Sequence, residues 1–217
     1  MDASTLFTAT LSGHAVDVVV KRMIDSGADV NHVTEDGRTP LHAAAFFNRQ
    51  HAQSGERCSL QTTSSTKVST AVAELLINAD ACVHAEDNDG NTPLHMAAKR
   101  GWHDLDMVKC LVSRNANVNC RNHLHQTPLH LASGKPQTLS VVQFLVQHAA
   151  DTTATDHANN TPLAVASLTN NHAVERFLSH VQEGHRSHPD YENNARPALS
   201  AWTKLGGTTS MHFMHRH

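Results

Sequence analysis

Apolar residues recur along this chain in short stripes of helical period. In DLDMVKCLVS they fall at Leu105, Val108, Leu111 and Val112, and in TLSVVQFLVQ at Leu139, Val142, Leu145 and Val146. That spacing puts each set on one face of an amphipathic helix. Val72, Leu75, Leu76 and Ile77 repeat the pattern upstream, and Val174, Phe177, Leu178 and Val181 repeat it downstream. AVDVVVKRMIDSGADVN reads the same way and runs out at Gly27, a favoured residue just past a helix end. The longest apolar runs, such as Val18–Val20, fall far short of the ~20 residues a membrane span needs.

Between the stripes a tetrapeptide repeats. Thr-Pro-Leu-His stands at Thr39–His42, Thr92–His95 and Thr127–His130, and Thr-Pro-Leu-Ala at Thr161–Ala164. Pro40, Pro93, Pro128 and Pro162 are separated by 53, 35 and 34 residues. Each tetrapeptide predicts the start of another helix. The Thr hydroxyl caps an orphan backbone N–H, Pro at the first position has no N–H to leave unpaired, and Leu begins a buried face. The residues before it (EDGR, NDGN, HLHQ, HANN) are those of a tight turn with positive φ. The chain is therefore a series of helix–helix–turn units, and its internal period sets the fold class.

DGRTPLHAAA, DGNTPLHMAAKRG, QTPLHLAS and SGADVN together resemble the ankyrin repeat family, over roughly residues 3–184. The resemblance implies an all-α solenoid of antiparallel helix pairs with β-hairpin-like fingers. An ankyrin repeat domain over 1–185 would hold five units, at about 3–35, 36–88, 89–123, 124–157 and 158–184. The first lacks the tetrapeptide and has LFTATLSG in its place, suiting a cap. Residues 186–207 contain ARPALSAWTKLGG, with Pro197 in period, and read as a degenerate capping half-repeat; 208–217 read as a flexible tail. The interval of 53 places about 20 extra residues in unit two, as a mobile insertion at about 48–66.

Charge and composition then narrow the function. The net charge is −3 and no basic block stands out, so nucleic acid is not the expected partner. MDASTLFTAT lacks the basic and apolar regions of a signal peptide. Cys58, Cys82, Cys110 and Cys120 have no zinc spacing and read as reduced thiols, which points to the cytoplasm or nucleus. No serine-hydrolase elbow, phosphate-binding glycine loop or zinc-protease motif occurs, so the expectation is a protein without enzymatic activity or cofactor. There are nineteen histidines. Those near the end (His180, His185, His188, His212, His215, His217) lack the spacing of a zinc-protease site and read as solvated side chains, set against chelation of a metal. A thiol at Cys58 beside Arg57 is a candidate reactive group, set against an ordinary cysteine.

The resemblance also implies where a partner docks. In such stacks the fingers and the outward positions of the first helices line a concave face. Here those positions are Leu11 and Ser12, Phe46 and Phe47, Lys99 and Arg100, Gly134 and Lys135, and Leu168 and Thr169, with Trp102 nearby. Finger tips add Glu86, Asp87, Arg121 and His123, together with His32, Thr34, Glu35, Asn88, Leu124, Thr155, Asp156 and His157. Aromatic and Arg side chains are common binding hot spots; an alternative is that Phe46 and Phe47 pack under the insertion. The resemblance further implies that His42, His95 and His130 bond the cap Thr and neighbouring backbone. By the same route, Asn31 and Asn119 bond within the fingers or serve as substrates of an asparaginyl hydroxylase. The partner expected is a protein, with no membrane, bound by a monomer or within a hetero-complex. Three roles remain open: a scaffold or adaptor, a substrate-presenting or regulatory subunit docked through its C-terminal segment, and a secreted microbial effector mimicking a host scaffold.

Overall fold

Every Thr-Pro-Leu opens a helix, as its capping chemistry requires. The computed structural model describes residues 3–11, 16–46, 62–100 and 105–184. These form helices α1 (Ala3–Leu11), α2 (Val16–Asp25), α3 (Pro40–Phe46), α4 (Thr62–Asn78), α5 (Pro93–Arg100), α6 (Leu105–Ser113), α7 (Pro128–Ser133), α8 (Leu139–Gln147), α9 (Pro162–Leu168) and α10 (His172–Gly184). The chain divides into two compact units, 1–178 and 179–217; of the second, only 179–184, the end of α10, are described.

Within the first unit the short first helices α1, α3, α5, α7 and α9 pack in sequence, each on the next, and α2, α4, α6 and α8 form a second row. Leu6, Leu41, Leu94 and Leu129 occupy one register along the first row, and all four are buried. Leu6 shows that LFTATLSG keeps the period where the tetrapeptide is missing. Ala44, Ala45, Ala97, Ala98, Ala132 and Ala166 are buried beside them. Methyl groups let neighbouring helices approach closely, which explains the scarcity of aromatic residues. The second row contributes Val20, Val72, Leu76, Val108, Leu111, Val142 and Leu145. Each fully buried Leu or Val contributes roughly 1.5–3 kcal/mol relative to exposure.

The second helices α2, α4, α6 and α8 end alike. Gly27, Asp80, Asn115 and Ala149 take positive φ (83°, 66°, 64° and 62°). The residue after each returns its N–H to the last turn: Ala28 to Met23, Ala81 to Leu76, Ala116 to Leu111 and Ala150 to Leu145, all at 3.0 Å. This left-handed closure caps the orphan carbonyls and turns the chain toward the finger.

The fingers are hairpin-like hydrogen-bonded turns, and no strand occurs among the described residues. One boundary differs from the expectation. The second helix of unit two begins at Thr62, so 62–66 belong to α4 and not to the insertion. Ser and Thr lose only tenths of a kcal/mol to Ala in a helix, and extending an existing helix needs no new nucleus. The remainder of the insertion, together with 186–217, lies outside the described residues.

Candidate partner-binding face

The tetrapeptide histidines lock each finger to the next unit. The Nδ1 of His42 accepts from the Thr39 N–H at 3.2 Å and lies 2.9 Å from its hydroxyl. Its Nε2 lies 2.9 Å from the carbonyl of Asn91, in the following finger. His95 repeats this with Thr92 (3.1 and 3.0 Å) and the Gln126 carbonyl (3.0 Å). His130 does so with Thr127 (3.2 and 2.8 Å) and the Asn160 carbonyl (3.0 Å). A carbonyl only accepts, so Nε2 carries the hydrogen and Nδ1 is the acceptor. The neutral ring satisfies every partner; a protonated ring would point a second N–H at the Thr N–H. Burial holds all three imidazoles below their ordinary value, and the carbonyl bond at Nε2 offsets this in part. In unit five Ala164 takes the place of histidine, and a methyl cannot make this bridge.

The fingers are organised by a side-chain oxygen at their first position. Asp87 Oδ1 accepts from the N–H groups of Asp89 (3.0 Å) and Asn91 (2.8 Å). Asn122 Oδ1 does the same for Leu124 and Gln126, and Asp156 Oδ1 for Ala158 and Asn160. Thr34 Oγ1 accepts from Arg38 N–H. The fourth finger residue is left-handed throughout: Gly37, Gly90, His125 and Asn159. Adjacent fingers join by one backbone bond each, Asn88 to Asp36, His123 to Asp89 and His157 to Leu124, at 2.9–3.0 Å.

These geometries relocate one expected binding residue, Asp87, and place the others as follows. Asp87 is only 5% exposed and also pairs with Arg38 Nε at 3.6 Å, so its carboxylate organises the finger and offers no surface. Phe46 is 47% exposed. It lines a groove of about 260 Å³ with Phe7, Ala43, His42, Thr34, Asp36 and Arg38, bringing the first helices of units one and two together with a finger. Lys99 is exposed. Arg100 is half-buried and donates from Nη1 to the Ala45 carbonyl at 3.5 Å, beside Phe46. Glu86 and His123 are exposed; Arg121 is exposed too and reaches the Thr155 carbonyl at 3.3 Å. Lys135 extends past α7, and its carbonyl accepts from Asn171. Phe47, Trp102 and Cys58 lie outside the described residues, as does the side chain of Leu11. Among the described residues, no group of three or more His, Cys, Asp or Glu is placed to hold a metal, and no helix is long and apolar enough to cross a membrane.

Comparison with known families agrees with this architecture. A model of ankyrin repeats in three copies matches residues 63–156, a many-copy model matches 12–54, and a single-repeat model matches 36–88. The chain belongs to the ankyrin repeat family. It is 35% identical over 126 residues to Neurogenic locus notch homolog protein 1 of Xenopus tropicalis, covering 52% of this chain and 5% of that protein. Over 64 residues it is 45% identical to the Serine/threonine-protein kinase VIK of Arabidopsis thaliana (30% of this chain, 14% of the kinase). Over 63 residues it is 48% identical to a Transient receptor potential cation channel subfamily A member 1 homolog of Caenorhabditis elegans (29% and 5%). The chain thus matches only a small part of each relative, and the kinase and channel names carry nothing over to it.

The ankyrin asparagines at Asn31 and Asn119 are held on both amide atoms. Asn31 donates to the Asp80 carbonyl (3.0 Å) and accepts from Cys82 N–H (2.7 Å). Asn119 donates to Ala149 (3.0 Å) and accepts from Asp151 N–H (2.8 Å). Both tie one unit to the next. Sequence reasoning passed over Asn122 and assigned Asp156 to the tip. An Asp or Asn five residues ahead of the Thr of Thr-Pro is the signal that marks both as finger organisers.

Proposed function

We propose that this ankyrin repeat chain is a binding module, an adaptor or scaffold without catalytic chemistry of its own. It holds a partner protein on the face made by its first helices and fingers. The observation that carries this is Phe46. A half-exposed aromatic ring sits in a groove with a second ring, Phe7, with the Arg38 guanidinium lining the same groove and Arg100 bonded to the neighbouring carbonyl. Such an anchor beside arginines is the composition of an interface hot spot. The free thiols Cys82, Cys110 and Cys120 support a place in the cytoplasm or nucleus.

The test is a pull-down with the Phe46→Ala, Arg100→Ala double variant, quantified by mass spectrometry against the wild-type chain. Loss of specific partners with an unchanged helical circular dichroism signal is expected. An unchanged partner set on a folded double variant would overturn the assignment.

A further inference from the structure

The charges on this face fall into two bands. We propose that the partner segment it takes is charge-separated: one large apolar side chain at its centre, a basic stretch over the fingers and an acidic stretch over the helix ends. This deepens the docking reading above and rests on it.

The apolar centre is the groove of Phe7, Ala43 and Phe46. On the finger side stand four carboxylates, Glu35, Asp36, Glu86 and Asp89, all exposed. Arg38, which lines the groove between them, is engaged by Asp36 at 4.0 Å and by buried Asp87 at 3.6 Å, and Arg121, one finger further on, donates to the Thr155 carbonyl at 3.3 Å. On the opposite side the sign reverses. Arg100 bonds the Ala45 carbonyl, Lys99 shares its helix end, and Lys135 follows α7. Lys99 and Lys135 are exposed, and neither forms an ion pair among the described residues. Helices α3, α5, α7 and α9 contain no Asp or Glu, and at the end of α9 the Glu175 carboxylate is taken up by Ser167 and His172.

A partner of one sign meets one band favourably and is repelled by the other; a segment of mixed sign satisfies both. The eight residues of α5 rise about 12 Å from the finger that precedes it to Lys99 and Arg100. Four residues of extended partner chain, or eight of helix, cover that span.

Three fluorescein-labelled peptides sharing a central Leu-Trp pair test the idea by anisotropy on the full chain. One carries lysines on one flank and glutamates on the other, one carries only lysines, and one only glutamates. The mixed peptide is expected to bind at least about tenfold tighter than either of the others. Phe46→Ser is expected to weaken it about tenfold without lowering the melting temperature, since the ring is half outside the core. Lys99→Glu with Lys135→Glu is expected to invert the order in favour of the all-lysine peptide. Equal binding of the three peptides, binding by none, or an unchanged order in the charge-reversed variant overturns the proposal. Peptide failure while Phe46 and Arg100 still govern partner capture sinks the polarity alone. If capture is also independent of those residues, the docking face falls with it.

Discussion

Lowering the pH should loosen the stack through three imidazoles that fold in the neutral state. His42, His95 and His130 are buried, and each offers Nδ1 as an acceptor to a Thr N–H, so the native ring resists a proton. Their folded pKa values lie below the free imidazole value. In the unfolded chain the same rings protonate at about 6.5. The unfolded state therefore binds protons that the native state refuses. This stability is fully present above about pH 6.5 and is lost as pH falls below it, down to the native pKa values. Between about pH 7.5 and about pH 5.5, each ring loses at most roughly 1.4 kcal/mol, the limit for a ring that takes up no proton when folded, and the three together at most roughly 4 kcal/mol. Against a typical total of about 5–15 kcal/mol that is a large fraction. The assay is urea unfolding followed by far-UV circular dichroism at constant ionic strength across this range. His130→Gln should remove about a third of the pH dependence, because Gln does not ionise. A stability that changes by less than about 1 kcal/mol over the interval, or rises with acid, would refute the reasoning. Asp151 and Asp156, whose carboxyls are held below their ordinary value, act in a lower window, as pH falls through the carboxylate range.

Three further outcomes follow from the geometry. Ala149→Gly should stabilise the chain by about 1 kcal/mol in the same urea assay, since Ala149 holds a φ of 62° that glycine adopts without strain. Asp87→Ala should destabilise by about 1–3 kcal/mol, because the Asp89 and Asn91 N–H groups lose their acceptor and Arg38 loses its buried partner. Incubation of the folded chain with an asparaginyl hydroxylase should leave Asn31 and Asn119 without an added oxygen in mass spectra. Both amides are bridged to the next unit, and full modification under native conditions would contradict that restraint.

Much of this architecture is written locally, which is why the sequence discloses it. A Thr-Pro-Leu start and a striped second helix each act within a turn or two, and the structure follows them at α3, α5, α7 and α9. Leu6 was legible only through period, because LFTATLSG shares no tetrapeptide with the other units. Asp87 was misplaced for a physical reason: a carboxylate at a turn reads as solvent-facing unless its bonds to Asp89 and Asn91 are counted. The α4 start at Thr62 was hidden because Ser and Thr suit both a loop and the outer turns of a helix. Phe46 was legible as an outward position by register. Its groove with Phe7 was not, because that depends on how α1 packs against α3.

The fourth finger position carries a consequence for the order of the units. A Cβ on Gly90 would sit 2.7 Å from the His123 ring and 2.9 Å from its backbone nitrogen, so a side chain in this finger (87–91) would push the next one aside. The next finger (122–126) does carry one, His125, and the finger after it (156–160) answers with His157, the two rings stacked at 4.0 Å. The position is therefore a key cut for one neighbour. Shuffling the units would set a bare glycine against a ring that needs a stacking partner, or His125 against the Asn88 amide that now closes over Gly37. The repeats look interchangeable in their tetrapeptides, yet their contacts make the chain a sentence with a fixed word order.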